Sequence, residues 1–236
     1  MDEHTFHYSV TGLYMLISLS TYIYPNKNLI IPKNTMRQIS ICHDIFLILW
    51  NTYIFSSICY IVYDRNLTLY GNDPEITNTM LNNVMYHFWI SKYYDYFDTL
   101  IIILNGNYSQ LSYLHIFHHM SVSTIMFYNY KLIPNGGDIW FLIFYNSFIH
   151  ILLYYYYYLT ATYTKKKIWW AKYLTTFQII QFVCGIVQQS GSIITNKKYP
   201  SYIRETNVLY SAYMLYLFTN FYYKKYYTKK ISLSNV

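Results

Sequence analysis

The sequence predicts an all-α polytopic membrane protein with seven transmembrane helices. Three observations lead there. First, 54% of the 236 residues are apolar and only 11% are charged, against about 25% charged in a soluble globular domain. Second, seven stretches, roughly 8–24, 40–63, 80–104, 112–130, 138–162, 173–195 and 205–223, approach the ~20 mostly apolar residues that a bilayer-crossing helix requires. Third, all five prolines (Pro25, Pro32, Pro74, Pro134, Pro200) fall between these stretches, as expected of a residue that breaks helices. Gly71, Gly106, Gly136 and Gly137 lie in the gaps too. The gaps are short, so residues 1–236 read as one integral membrane domain.

Basic residues in the loops set the orientation. With the N-terminus on the lumenal side, the cytosolic side holds Lys27, Lys33, Arg37, Lys165, Lys166, Lys167, Lys172, Lys224, Lys225, Lys229 and Lys230. The opposite side holds Arg65, Lys131, Lys197, Lys198 and Arg204. The net charge of +7 therefore tracks topology, and nucleic acid is not an expected partner. Asp2 and Glu3 at the start, with no basic residue before Lys27, make a poor signal-peptide n-region, so the first span is expected to stay as an anchor. Cys42, Cys59 and Cys184 lie inside apolar stretches and suggest neither a disulfide framework nor a metal site. With 33 tyrosines in the chain, the run Tyr154 to Tyr158 is not evidence of a site by itself.

A charged group at mid-membrane costs roughly 2.5–3.5 kcal/mol on insertion scales, so those inside the spans need a reason. The third span contains KYYDYFDT, with Lys92, Asp95, Asp98 and Thr99. Spacings of three place Lys92, Asp95 and Asp98 along one side of a helix. A structural ion pair with Asp95 accounts for Lys92 alone; three ionisable groups and a threonine on one face favour a buried polar pocket. The fourth span opens LHIFHHMS, and His115, His118 and His119 share a face. A lone buried histidine is usually a satisfied core residue, but three on one face are not easily explained that way. The fifth carries NSFIHILLYYYYY, with Asn146, His150, Tyr154 and Tyr157 in one stripe. The sixth carries TTFQIIQF, with Gln178 and Gln181, followed by Gln188 and Gln189. Glutamines in a bundle also serve as plain interhelical hydrogen bonds. As a group, these four spans read as a catalytic chamber in an apolar surround.

Together the four segments resemble the ELO family of very-long-chain fatty acid elongases, membrane condensing enzymes that act as 3-oxoacyl-CoA synthases. KYYDYFDT looks like the family's lysine–acidic–Asp-Thr box and HIFHH like its HxxHH box. Residues 146–157 and 175–182 look like its Asn-Ser-x-x-His and Gln-x-x-Gln-Phe boxes, and LFTNFYYKKY like the end of its last helix. Asp95 stands where the family usually has Glu, Leu153 where it has Met, and Phe177 where it has Leu.

The resemblance implies a bundle around an enclosed acyl-chain chamber in the endoplasmic reticulum membrane. It implies condensation of a long-chain acyl-CoA with malonyl-CoA to a 3-oxoacyl-CoA two carbons longer, releasing CO2 and CoA through a histidine-bound acyl group. No cofactor beyond the co-substrate malonyl-CoA and no metal is expected. His118 and His150 are the expected nucleophile and partner, with His115 and His119 orienting, relaying protons or stabilising charge. Asn146, Gln178 and Gln181 would donate hydrogen bonds to an oxyanion or enolate. Lys92, Asp95, Asp98 and Thr99, with Tyr154 and Tyr157, would line the substrate site. Lys165, Lys166, Lys167, Lys224 and Lys225 suit the CoA phosphates, although ordinary topology determinants explain them as well. Implied partners are membrane lipid and the reductases and dehydratase of an elongation cycle; a homodimer is allowed.

Two rival readings stand beside this one. A membrane diiron desaturase or hydroxylase also uses HxxHH, but needs histidine ligands from several boxes. Of eight histidines here, His4, His7, His43 and His87 lie outside histidine motifs. A seven-helix receptor or transporter would not need three histidines beside a buried Lys–Asp cluster.

Overall fold

The computed structural model describes residues 2–25, 31–73, 79–133, 135–163, 168–195, 198 and 200–228. Among these the chain is helical, without strands: α1 (Glu3–Ile23), α2 (Lys33–Arg65), α3 (Thr79–Tyr94), α4 (Tyr96–Leu104), α5 (Tyr113–Leu132), α6 (Trp140–Thr162), α7 (Ala171–Thr195) and α8 (Ser201–Tyr223). Each stretch expected to span coincides with a helix to within several residues. The third falls into two helices, α3 and α4, interrupted at the single residue Asp95. Pro74, Pro134 and the basic residues Lys27, Lys165, Lys166, Lys167, Lys197, Lys229 and Lys230 lie outside the described residues.

Three helical segments, Lys33–Arg65, Gly137–Thr162 and Ala171–Thr195, are long and apolar enough to cross a membrane. With 33 residues, α2 is about 50 Å long, against a hydrocarbon core of roughly 30 Å, so its ends extend past the apolar layer. The other helices are made more polar by what they bury. In α1 the side chains of His7, Thr11 and Ser18 point inward, while Leu13, Leu16 and Ile23 are exposed, Leu16 at 68%. In α8 Arg204 and Asn207 are buried while Leu209 is 72% exposed. This is the reverse of a soluble helix and the arrangement expected where the surroundings are lipid.

Antiparallel pairs build the bundle. At one end of the α2–α6 pair Arg37 donates to the carbonyls of Ala161 and Thr162 at 2.7 and 2.8 Å; further along, Phe55 stacks on Phe144. In the α7–α8 pair the Phe182 and Phe218 rings meet at 5.2 Å and Arg204 donates to the Ser192 carbonyl at 2.7 Å. α3 and α5 meet through Trp89, which packs on Phe127 and stacks on Tyr130. The first turn of α1 reaches the last of α5, where Glu3 pairs with Lys131.

Gly136, just before α6, has φ +86°, and a Cβ there would come within 2.6 Å of Leu81 and 2.9 Å of the Met85 sulfur. Both the backbone and the space demand glycine. Gly136→Ala is expected to destabilise the fold by about 1–3 kcal/mol, read as a lower thermal unfolding midpoint in detergent. An unchanged midpoint would show that the turn relaxes around the methyl group.

Candidate active site

The histidine cluster begins at a helix cap. Ser112 accepts the backbone N–H of His115 at 3.2 Å, satisfying one of the free N–H groups of the first turn. α5 therefore starts where His115, His118 and His119 fall on adjoining turns. His115 and His119 rings lie 4.4 Å apart and those of His118 and His119 5.5 Å. The His115 Nε2 is tied to Thr99 Oγ1 at 2.7 Å, and Tyr14 bonds the same hydroxyl at 3.1 Å. Tyr14 stacks on Tyr96, centroids 3.9 Å apart, and Tyr96 bonds Ser123 at 2.5 Å. One side of the cluster is thus held by hydroxyls and rings.

The other side is charged. Lys92 has no exposed surface. Its ammonium donates to Asp95 Oδ2 at 3.1 Å and to Asn146 Oδ1 at 3.2 Å, and lies 4.5 Å from the centre of the Phe88 ring. Asp95 is one methylene shorter than glutamate, yet both its oxygens are engaged: Oδ1 accepts from the Tyr154 hydroxyl at 3.0 Å, and Oδ2 lies 3.7 Å from His150 Nδ1. Tyr154 lies 2.8 Å from Asp98 Oδ2 as well, and Asp98 Oδ1 meets His43 Nε2 at 3.0 Å.

Because an ammonium only donates, Asn146 must turn its oxygen to Lys92. Its amide nitrogen then makes no hydrogen bond to a described residue and remains available as a donor. Asn146, His118, Gln181, Phe182, Asn207 and Tyr210 are among the residues lining a cavity of about 40 Å³, room for a few water molecules. The Nδ1 atoms of His118, His119 and His150 have no hydrogen-bond partner among the described residues. His118 shares the cavity with Asn146, and His150 lies one helical turn beyond Asn146 on α6.

The sequence-predicted residues divide accordingly. Lys92, Asp95, Asp98, Thr99, Asn146, Tyr154 and all four motif histidines come together, and Gln181 joins His118 at the cavity. Gln178 is half-buried and makes no hydrogen bond to these residues, and Tyr157 sits at the margin, 38% exposed and edge-on to Tyr154. Gln188 and Gln189 belong elsewhere. Gln188 donates to the carbonyls of Leu69 and Asp138 at 2.8 and 2.9 Å, and the buried Asp138 carboxylate takes the backbone N–H groups of Gly71 and Asn72 and the Ser192 hydroxyl. Asn207, which lines the cavity, connects to that network by donating to Gln189 at 3.4 Å, and Gln189 donates to Gln188 at 2.6 Å; Asn207 also pairs with Asn129 at 3.0 Å. Sequence reasoning missed His43, Asn129 and Asn207; a histidine and two asparagines inside apolar spans were the available signal. Among the described residues no group of three His, Cys, Asp or Glu is arranged to hold a metal ion.

Removing one partner of a buried ion pair strands the other, at about 3–5 kcal/mol. Asp95→Ala is therefore expected to lower the unfolding midpoint steeply, and Asp95→Glu to keep it near that of the wild type. Equal midpoints for Asp95→Ala and the wild type would remove the pair from the account of stability.

The chain was compared with known proteins. The family model ELO, described as the GNS1/SUR4 family, matches residues 1–233. Very long chain fatty acid elongase 4 of Mus musculus is 30% identical over 199 residues, 81% of this chain and 63% of that protein. Very long chain fatty acid elongase 5 of Xenopus laevis is 31% identical, over 83% of this chain and 67% of its own. A putative fatty acid elongase of Dictyostelium discoideum is 31% identical, over 96% and 78%. The match to the mouse relative thus spans somewhat under two thirds of that protein's length. The chain belongs to the ELO family, the GNS1/SUR4 family.

Proposed function

We propose that this protein elongates fatty acids as a 3-oxoacyl-CoA synthase, condensing a long-chain acyl-CoA with malonyl-CoA. The observation that carries the reading is the meeting of His118, Asn146 and Gln181 at one cavity, with His150 and its Asp95–Lys92 support behind it. A neutral imidazole is a competent nucleophile toward a thioester. In the proposed first step a nitrogen of His118 or His150 attacks the acyl carbonyl, the C–S bond breaks and CoA leaves as the thiol. In the second, malonyl-CoA loses CO2, and the resulting enolate carbon attacks the acyl-imidazole, forming the new C–C bond and freeing the histidine. The Asn146 amide, oriented by Lys92, and Gln181 are donors for the oxyanion and the enolate. An apolar bundle keeps water from the acyl-imidazole, which would otherwise hydrolyse.

The same proposal sets seven spans in the endoplasmic reticulum membrane, around an acyl-chain chamber that widens when substrate enters. The N-terminus is lumenal and the C-terminus cytosolic. In support, Lys33 and Arg37 share an end of the bundle with the C-terminal ends of α4 and α6, whereas Lys131 pairs with Glu3. Lys224 and Lys225 follow α8 at the end proposed to be cytosolic, where CoA phosphates would lie. No metal takes part in this scheme, and the reductases and dehydratase of an elongation cycle would act on its product.

Purified protein given an acyl-CoA and labelled malonyl-CoA, without a nicotinamide cofactor, is expected to yield a labelled 3-oxoacyl-CoA, and a strong chelator to leave the rate unchanged. A desaturated or hydroxylated product, with activity lost on removing iron, would support the diiron reading instead. Acyl-CoA alone should release at most about one CoA per protein and add one acyl mass at residue 118 or 150. An adduct on Cys184, or no CoA release before malonyl-CoA binds, would end the histidine intermediate and leave condensation standing.

A further inference from the structure

The condensation proposed above, on which this inference rests, consumes a proton. Malonyl-CoA enters with an ionised carboxylate that leaves as CO2, and CoA leaves as a thiol. Acyl-CoA, malonyl-CoA and one proton thus give 3-oxoacyl-CoA, CO2 and CoA, whichever residue carries the acyl group. When the enolate displaces a histidine, the imidazole departs with one proton too few. A site sealed against water needs a route by which that proton arrives.

We propose that His43, on α2, is the entry point of a proton relay that runs through Asp98, Tyr154 and Asp95 to His150. The contacts are continuous: His43 Nε2 to Asp98 Oδ1 at 3.0 Å, Asp98 Oδ2 to the Tyr154 oxygen at 2.8 Å, and that oxygen to Asp95 Oδ1 at 3.0 Å. Asp95 Oδ2 then lies 3.7 Å from His150 Nδ1, and that nitrogen has no hydrogen-bond partner. The Tyr154 phenol has one hydrogen for two carboxylate oxygens. It satisfies both when it donates to one and accepts a carboxyl proton from the other, so the arrangement can pass a proton along by shifting each hydrogen one place.

The more exposed end of the relay is formed by Asp98 and His43. The His43 side chain keeps 10% of its surface exposed and that of Asp98 14%, whereas Asp95 keeps 1%. His43 lies ten residues into α2, about 15 Å from the helix start, at the end proposed to face the cytosol. The groups around it are Asp44 on its own helix, Asp98 on α4, Asp95 before α4 and Tyr154 on α6. Imidazole is the side chain best suited to take a proton at one nitrogen and release one from the other near neutral pH. In each turnover the proton enters at His43 Nδ1 while Nε2 passes one to Asp98. Tyr154 then protonates Asp95 Oδ1, the carboxyl turns to bring that proton to His150 Nδ1, and Asp95 gives it up as the other His150 nitrogen is released, which restores the carboxylate paired with Lys92.

The test uses the purified full chain in detergent with saturating acyl-CoA and labelled malonyl-CoA. His43→Gln keeps a donor for Asp98 but cannot carry a proton through. The relay predicts that His43→Gln and His43→Ala both turn over at least about 100-fold more slowly, with neither KM raised, acyl-enzyme accumulating and the His43→Gln unfolding midpoint unchanged. Free imidazole in the buffer should restore most of the His43→Ala rate. A structural role predicts instead that His43→Gln works like the wild type and that imidazole does nothing for His43→Ala; either result overturns the relay while the condensation stands. No 3-oxoacyl-CoA from the wild type would overturn the condensation, and the relay with it.

Discussion

An ammonium group with no exposed surface, set in an apolar helix bundle, dictates much of what surrounds it. Lys92 has only donors to offer and no water to offer them to. Its neighbours must therefore be acceptors: the Asp95 carboxylate and the Asn146 carbonyl, with the Phe88 ring face alongside. Asp95 in turn cannot end the chain of demands, because a carboxylate has more lone pairs than one lysine satisfies. The Tyr154 hydroxyl fills the next place, and Asp98 and His43 follow from it. One buried charge thus recruits side chains from α2, α3, α4 and α6 into a single arrangement. Such networks are expensive when half-satisfied and rigid when complete, a useful property where a reacting group must be held still.

The bundle carries a second buried polar layer with a different character. Around Asp138 the donors are mainly backbone N–H groups and a hydroxyl, and Arg204 binds the Ser192 carbonyl beside them. These contacts fix the start of α6 and the end of α7 to the loop after α2. They lack the free imidazole nitrogens and the cavity that mark the histidine layer. Asn207, paired with Asn129, lines the cavity together with His118 and donates to Gln189, so one amide side chain joins the two layers.

Much of the histidine layer was legible in the sequence because helix spacing constrains it. Residues three and four apart must share a face, and in lipid the polar face must turn inward. Lys92 with Asp95, and His115 with His118 and His119, could be placed together on those grounds. The break at Asp95 was not legible, since an apolar run of this length reads as one span. Gln178 and Gln181 share a spacing that puts both near one face, yet only Gln181 reaches the cavity; a spacing of three leaves about 60° between two side chains. Contacts between distant segments, such as His43 with Asp98 and Asn129 with Asn207, have no local signature, because helix order does not reveal which pairs touch. Nor does hydropathy settle every span, since helices such as α1 and α8 are apolar outward and polar inward, and a mean over the helix blurs the two.

Four histidines stand close together, and the differences among them argue for a division of labour. The Nε2 of His115 is already engaged by Thr99, and through it by Tyr14 and its stacking partner Tyr96. A nitrogen whose lone pair or proton is committed to a hydrogen bond is poorly placed to attack a carbonyl, and an orienting part suits His115 better. His119 is 7% exposed, enclosed by the rings of His115, His118 and Tyr14. His118 differs from both: it opens on the cavity, which the Asn146, Gln181 and Asn207 amides also line. His150 differs again, with a carboxylate behind it that can accept or return a proton. Each of the two thus has part of what a covalent mechanism requires: His118 the opening toward an incoming thioester, and His150 a carboxylate that can return a proton to the ring when its other nitrogen gives up an acyl group.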